Sequence, residues 1–254
     1  MDAAAALEIM HDLADQAGVI MLDGVGQPAE TKGDGTPVTA SDLEINELVV
    51  STIQNQYPDC GVIGEEGSYN SEADHLFVVD PIDGTYTFTA GLGLAVFAIA
   101  YLEDGITTAA LIYDPFADMR FAATRGRGTT LNGQPITVGD IPRQRFVYVE
   151  AANRSRLEGQ PYEQWLRRAG FEPARCMAFI GPAARVATGA TAGGVFARKS
   201  LWDALAVALI VTEAGGIATD LDGVAVRGLD LGEGILVAHP TCHNQILAAL
   251  AGPE

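Results

Sequence analysis

Lysine is almost missing from this chain of 254 residues. It occurs only at Lys32 and Lys199, and with thirteen arginines the basic side chains are far outnumbered by 33 acidic ones, for a formal net charge of −18. A surface this acidic repels phosphate backbones, which argues against nucleic-acid binding as the main role. It also poses a problem for any anionic small molecule, which needs bound cations to approach. The scarcity of lysine itself fits coding bias in a GC-rich genome better than adaptation to salt. Cysteine is scarce too: Cys60, Cys176 and Cys242 are widely spaced and odd in number. That pattern argues against a disulfide framework and against a zinc site, and suits a reducing cytoplasm. No apolar run approaches the roughly eighteen residues of a membrane span, and Met1-Asp2-Ala3-Ala4 lacks the basic stretch of a secretory signal. The expectation is a cytoplasmic protein without a membrane partner. Repeats are absent, and low complexity is confined to the Ala-rich ends.

What is present is apolar bulk. The chain is 48% hydrophobic, enough for one large core or two closely packed halves. Leu7, Met10, Leu13, Ala14, Ala17, Ile20 and Met21 recur at helical spacing and predict a helix over 3–23. The stretch 24–37, rich in Gly, Pro, Asp and Thr, reads as a loop. A second helix is expected from Ser41, with Glu44 completing a capping box, to just before Tyr57-Pro58. Strands are expected at 61–64 and 75–79, then a three-stranded meander over 94–102, 106–113 and 119–124. Asp104-Gly105 is a hairpin signal there, and Arg125-Gly126-Arg127-Gly128 closes the meander. From about Phe146 strands (146–151, 193–198, 217–220, 235–238) alternate with helices (159–169, 202–214, 241–251). The division is into an N-terminal α+β half, 1–145, and a C-terminal α/β half, 146–254. Layered α and β elements follow from that order.

Three acidic sites stand out. The apolar strand His75–Val79 runs directly into Asp80-Pro81-Ile82-Asp83-Gly84-Thr85-Tyr86-Thr87-Phe88. Pro and Asp-Gly are turn formers, so a plain turn is one reading; a cluster of hard oxygen ligands at a strand end is the other. Glu65-Glu66 follows a strand, where loop carboxylates are usually solvated. Asp203 fits a capping box begun by Ser200. In combination they suit Mg²⁺, which takes near-octahedral oxygen ligation shared between carboxylates and a substrate phosphate. Two such ions can polarise a phosphoryl group and stabilise the leaving oxygen.

Gly64-Glu65-Glu66, Asp80-Pro81-Ile82-Asp83-Gly84-Thr85 and Trp202-Asp203-Ala204 with Glu213-Ala214-Gly215-Gly216 resemble, in order and spacing, the signatures of the inositol monophosphatase family. Lys32, Pro37-Val38-Thr39, Asp42 and Asn132-Gly133 extend the resemblance over nearly the whole chain. It implies an α+β fold, the layered αβαβα sandwich shared with fructose-1,6-bisphosphatases. It also implies a Mg²⁺-dependent, lithium-sensitive phosphatase of small phosphate esters that works as a homodimer. By position, Glu65, Asp80 and the Ile82 carbonyl would hold one metal and Asp80, Asp83 and Asp203 a second, with Glu65 facing a third. Thr85, supported by Asp42, would orient the attacking water, and the Gly84 and Thr85 amides would cradle the phosphate. Glu66 would support the site from behind.

The departures from the family pattern concern the substrate. Inositol monophosphatases usually read Asp-Gly-Thr-Thr-Asn-Phe where this chain has Asp83-Gly84-Thr85-Tyr86-Thr87-Phe88. Seven residues before Asp203, where that subfamily carries a Glu that binds hydroxyls, stands Phe196. Either a polyol contact is lost or Phe196 is a core strand residue in a segment about one helical turn shorter. Together with Asp83, Phe196 and Arg198 are the expected substrate contacts, Arg198 being able to meet a second anionic group. The expected function is hydrolysis of a sugar or polyol phosphate. Histidinol phosphate, fructose-1,6-bisphosphate and a nucleotide bisphosphate are the alternatives within the class. A non-catalytic protein that keeps the fold and binds a macromolecular partner is the alternative outside it.

Overall fold

The computed structural model describes residues 1–33, 35–150, 157–175 and 177–252; Cys176 and the end of the strand expected at 146–151 lie outside the described residues. Helix α1 (Ala3–Gly24) starts at Asp2, whose Oδ1 accepts the Ala5 amide at 2.9 Å. Its buried residues, Ala6, Met10, Leu13, Ala14, Ala17, Gly18 and Met21, follow the helical period. A short hairpin, β1 (Glu30–Thr31) with β2 (Pro37–Val38), occupies the segment expected to be loop.

Helix α2 (Ala40–Gln56) corrects one expectation. Its cap is Thr39, not Ser41. Thr39 Oγ1 accepts the Asp42 amide at 3.3 Å while the Thr39 amide donates to Asp42 Oδ2 at 2.8 Å, so the reciprocal box is Thr39–Asp42 and not Ser41–Glu44. Both pairs have the required spacing. Strand β2 decides between them, because it delivers Thr39 in the extended backbone that an N-cap needs (φ −111°, ψ 168°). Ser41 is left inside the first turn, where its hydroxyl accepts from Gln27 Nε2 at 2.5 Å.

The first sheet comprises β3 (Cys60–Gly64), β4 (His75–Asp83), β5 (Val96–Glu103), β6 (Ile106–Asp114), β7 (Met119–Thr124), β8 (Thr129–Leu131) and β9 (Gln134–Ile136), in that spatial order, with α3 (Thr85–Thr89) between β4 and β5. Only β3–β4 is parallel. The hairpin at Asp104-Gly105 takes the positive φ angles, 49° and 76°, of the mirror-image turns that match strand twist. The meander does not close at Arg125–Gly128 as expected but continues into β8 and β9.

The second sheet, in the order β11-β10-β12-β14-β13, is built from β10 (Phe146–Glu150), β11 (Glu172–Arg175), β12 (Gly193–Phe196), β13 (Ile217–Thr219) and β14 (Ile235–Ala238). Helices α4 (Tyr162–Arg168), α5 (Ile180–Ala184), α6 (Leu201–Glu213) and α7 (His243–Ala251) complete the chain, with a 3₁₀ turn at Arg185–Thr188.

Alternation along the central strands sets the layers. On β4 and β5, Phe77, Val79, Phe97, Ile99 and Tyr101 face α1 and α2, whereas Leu76, Val78, Ala98, Ala100 and Leu102 face α5 and α6. Beyond those helices, Phe196, Ala218, Ile235 and Val237 of the second sheet close the same core. The outer face of that sheet, with Val147, Val149, Val195 and Leu236, packs on α4 and α7. The result is the αβαβα sandwich. Strands covered on both faces read as unbroken apolar runs, which is why the 75–79 segment looked buried from sequence.

Candidate active site

The site begins with an irregularity in β4. Its pairing with β5 runs regularly to Asp80↔Ala98 and resumes at Asp83↔Val96, so three steps on one strand match two on the other. Pro81 supplies the reason, since it has no N–H to give to the ladder, and a bulge lets it pass. Of the turn expected over residues 80–88, only the Asp83-Gly84 part is found: β5 still offers ladder partners at both aspartates, and the chain turns at Gly84. There φ is +98°, and a Cβ would stand 2.7 Å from the Leu94 carbonyl oxygen and 2.8 Å from Ala178 Cβ.

Asp80 and Asp83 meet Asp203, from the first turn of α6, with one oxygen of each carboxylate within 4.8 Å of the others. Ser200 caps that helix, accepting the Asp203 amide at 3.4 Å. Asp83 is fixed by the Phe179 and Ile180 amides at 3.0 and 2.6 Å, where the chain enters α5. Burial raises the Asp83 pKa and these amides pull it back, leaving it at about 6. Asp80 lies well above the ordinary range because it is buried and faces Glu65, Asp203 and Asp83. Enclosure of its carboxyl and the charge of Asp83 do the same to Asp203. Asp80 Oδ1 is fully buried yet accepts no hydrogen bond from any described residue. An orphaned buried acceptor is destabilising unless something else fills its lone pairs. Three hard oxygens converging on one point, one of them unpartnered, fit a divalent cation such as Mg²⁺.

Glu65, just past β3, lies at the edge of the same cavity and pairs with Lys32 Nζ at 2.7 Å; Glu66 pairs with the same ammonium at 2.8 Å. Burial pulls Lys32 down, but the two carboxylates more than offset it and hold it protonated. Thr85 Oγ1 is 3.2 Å from the Ile82 carbonyl oxygen and 3.4 Å from Asp42 Oδ1, within reach of both acceptors. Asp42 is buried, which raises its pKa against the lowering bonds from Thr39. Corrected capping thus gives Asp42 two tasks, starting α2 and backing Thr85.

A cavity of about 210 Å³ joins these groups, with Glu65, Asp80, Ile82, Asp83, Gly84, Thr85 and Asp203 in its wall. Phe196 and Arg198 line it too. Phe196 is a core strand residue, 1% exposed and packed on Phe179 at 5.3 Å between ring centroids, and it also lines the cavity. Arg198 lies over the Phe196 ring at 5.4 Å. Sequence reasoning missed Glu150, which also lines the cavity. Burial, then Asp83, pushes its carboxyl up to about 7, against the opposing pull of Arg198. The signal was available: Phe146–Glu150 is an apolar strand ending in a carboxylate, as His75–Asp80 is.

The family model described as the inositol monophosphatase family matches residues 2–252. A histidinol-phosphatase of Chlorobaculum parvum is 31% identical over 258 residues, covering 98% of this chain and 97% of its own length. An inositol monophosphatase of Dictyostelium discoideum is 30% identical over 231 residues, covering 85% of each. Among solved structures, an IMPase of Thermotoga maritima shares the fold with a TM-score of 0.87, at 23% identity and 97% coverage of both chains.

Proposed function

The chain belongs to the inositol monophosphatase family, whose members are phosphoric monoester hydrolases, and on that premise we propose how its residues divide the work of hydrolysing a small phosphate ester. Glu65, Asp80, Asp83, Asp203 and the Ile82 carbonyl hold two or three Mg²⁺ ions. Bound Mg²⁺ supplies Lewis-acid polarisation of the phosphoryl oxygens, acidifies water and inverts the local field so that a dianion can enter an acidic protein. Gly84 and Thr85 direct their backbone amides at the phosphate oxygens. Thr85 Oγ1 donates to Asp42 Oδ1 and turns its lone pair to the attacking water, which it orients in line with phosphorus. Glu65 assists in removing the water proton, and Glu66 keeps Lys32 from competing fully for Glu65. Arg198, Phe196 and Asp83 meet the alcohol.

The observation that carries this reading is the unpartnered Asp80 Oδ1 inside a three-carboxylate convergence. The test is a phosphate-release panel run with Mg²⁺ and with chelator, covering inositol, sugar and histidinol phosphates, fructose-1,6-bisphosphate and nucleotide bisphosphates. Release that needs Mg²⁺ is expected; no release from any of them would end the proposal.

We propose four further features of the chain. The exposed side chains of Leu92, Leu94 and Met177, 61, 61 and 58% accessible, support a homodimer. Free cysteines at Cys60 and Cys242 support a cytoplasmic location, and no described helix is long and apolar enough to cross a membrane. Family membership supports inhibition by lithium. The division at residue 145 is supported by the two sheets, each of which lies wholly on one side of it.

A further inference from the structure

Glu65 stands at the edge of the acidic cluster rather than in it. It lines the cavity, but among the described residues the converging carboxylates are Asp80, Asp83 and Asp203, and Glu65 is turned to Lys32 at 2.7 Å. The segment that carries it, 64–67, is tied down on either side. The Glu65 amide donates to the Val79 carbonyl at 3.2 Å, and Val62 and Tyr69 exchange hydrogen bonds of 2.7 and 2.9 Å across the base. Between these ties the Glu66 and Gly67 amides find no acceptor among the described residues. Asn46, on α2, lies against the segment. It is 7% exposed, and its Oδ1 is fully buried and accepts no hydrogen bond from any described residue. A Cβ on Gly64 would stand 2.2 Å from that oxygen, and one on Gly67 would stand 3.2 Å from Asn46 Nδ2. Two glycines thus let the backbone settle directly on the side-chain amide.

We propose that Asn46 is the positioning residue for Glu65: its amide carries segment 64–67 on α2 and sets how far Glu65 reaches toward the metal cluster, and so how tightly the ion that Glu65 helps to hold is bound. This rests on the phosphatase reading of the same site, in which Glu65 is a ligand. An amide is suited to the task because it offers both a donor and an acceptor, and can meet backbone N–H and carbonyl groups in either orientation. Packing alone does not account for it. A buried amide oxygen without a partner is costly, and an apolar side chain of the same size would fill the place at no such cost. Asn46 also follows Asp42 by four residues, which puts the two on one face of α2. One helix then backs both sides of the reaction centre from consecutive turns. Asp42 stands 3.4 Å from the Thr85 hydroxyl, and Asn46 supports the Glu65 segment against the pull of Lys32.

The test needs no ester. Wild type, Asn46→Leu and Asn46→Ala are titrated with Mg²⁺ by calorimetry and melted with and without Mg²⁺. Asn46→Leu is expected to melt higher than wild type in chelator, because it removes an unpartnered buried oxygen. It should nevertheless bind its weakest Mg²⁺ about ten- to a hundredfold less tightly, the usual cost of losing a group that orients a metal ligand, so that Mg²⁺ raises its Tm by less. Asn46→Ala should weaken the same ion and serves where the leucine does not fold. Wild-type Mg²⁺ affinity in the folded variants overturns the inference, whatever their melting temperatures, and leaves the phosphatase reading intact. A wild type that binds no Mg²⁺ overturns both. Where Mg²⁺ binds but no ester is hydrolysed, the phosphatase reading alone fails, and the affinities of the variants still decide the role of Asn46.

Discussion

Asp80 and Asp83 bring their carboxylates to one point although they stand three residues apart on the same strand. On a regular strand side chains at that separation project from opposite faces. The extra residue at the bulge reverses the parity of the second aspartate, so a proline that cannot join the ladder is what places both acids in one cluster.

Asp80→Asn should abolish Mg²⁺-dependent phosphate release, by about a thousandfold or more if several kcal/mol of metal-borne stabilisation are lost. The same variant should melt higher than wild type in chelator, because it removes a charge repelled by Glu65, Asp203 and Asp83. Phosphate assays and thermal melts on one preparation check both. An undiminished rate would show that Asp80 does not hold the metal on which hydrolysis depends.

Gly84→Ala should cost about 1–3 kcal/mol of stability and most of the activity. The left-handed backbone strains any side chain there, and backbone as well as side-chain atoms stand within 3 Å of the new Cβ. Urea unfolding and phosphate release measure the two effects, and a fully active, equally stable variant would contradict this account of the turn.

Thr85→Val keeps the shape and removes the hydroxyl shared between Ile82 and Asp42. The expected loss in kcat is about 10²–10⁴-fold, the usual range for a group that manages a proton, with Thr85→Ser restoring most of it. A loss in Thr85→Ser with none in Thr85→Val would mean that the methyl group, and not the hydroxyl, matters.

Much of this was legible in advance, and the misses have physical causes. Helix α1 and the hairpin at Asp104-Gly105 were readable because period and turn chemistry agree with the tertiary structure. The three acidic motifs were readable as chemistry, but their backbone was not. Asp-Pro and Asp-Gly favour turns locally, and the pairing of β4 with β5 overrides that preference up to Asp83. Strand β11, with Pro173, and helix α5, with Gly181-Pro182, carry breaker residues and are held only by their neighbours. Thr39 and Ser41 were indistinguishable by spacing, and the strand preceding Thr39 decided between them. Glu150 offered a signal in sequence, a carboxylate closing an apolar strand, but only the pairing of the second sheet shows which cavity it lines.

Glu213 closes α6 with a negative charge at the end where the helix dipole disfavours one. It is retained there by the Gly126 and Gly128 amides, which donate to Oε1 and Oε2 at 2.9 and 3.0 Å and fasten the Arg125–Gly128 turn to the middle layer. Glu213→Ala should therefore destabilise by about 1–3 kcal/mol despite relieving the dipole. Urea unfolding of the variant beside wild type gives the sign directly.

In chelator, stability should fall as pH rises from about 4 to about 7. The carboxyls of Asp83, at about 6, and Glu150, at about 7, are raised by burial, so between their unfolded and folded values the native state binds more protons than the unfolded chain. Their contribution is full below the unfolded values and is lost above the folded ones. Saturating Mg²⁺ should flatten the slope due to Asp83. Melting curves from pH 4.5 to 8, with and without Mg²⁺, test it, and a metal-free protein that gains stability over that range would contradict it.

Helix α6 is buried from Ala204 through Val211 without a break and touches both sheets, yet its first turn carries Asp203 into the cavity. Whatever is captured at the cluster therefore grips the axle of the sandwich as well as the rim. By mass action, an ion that binds only the assembled layers lends its binding free energy to their cohesion. Supply of the ion then sets how long the chain survives between turnovers, as well as how fast it turns over.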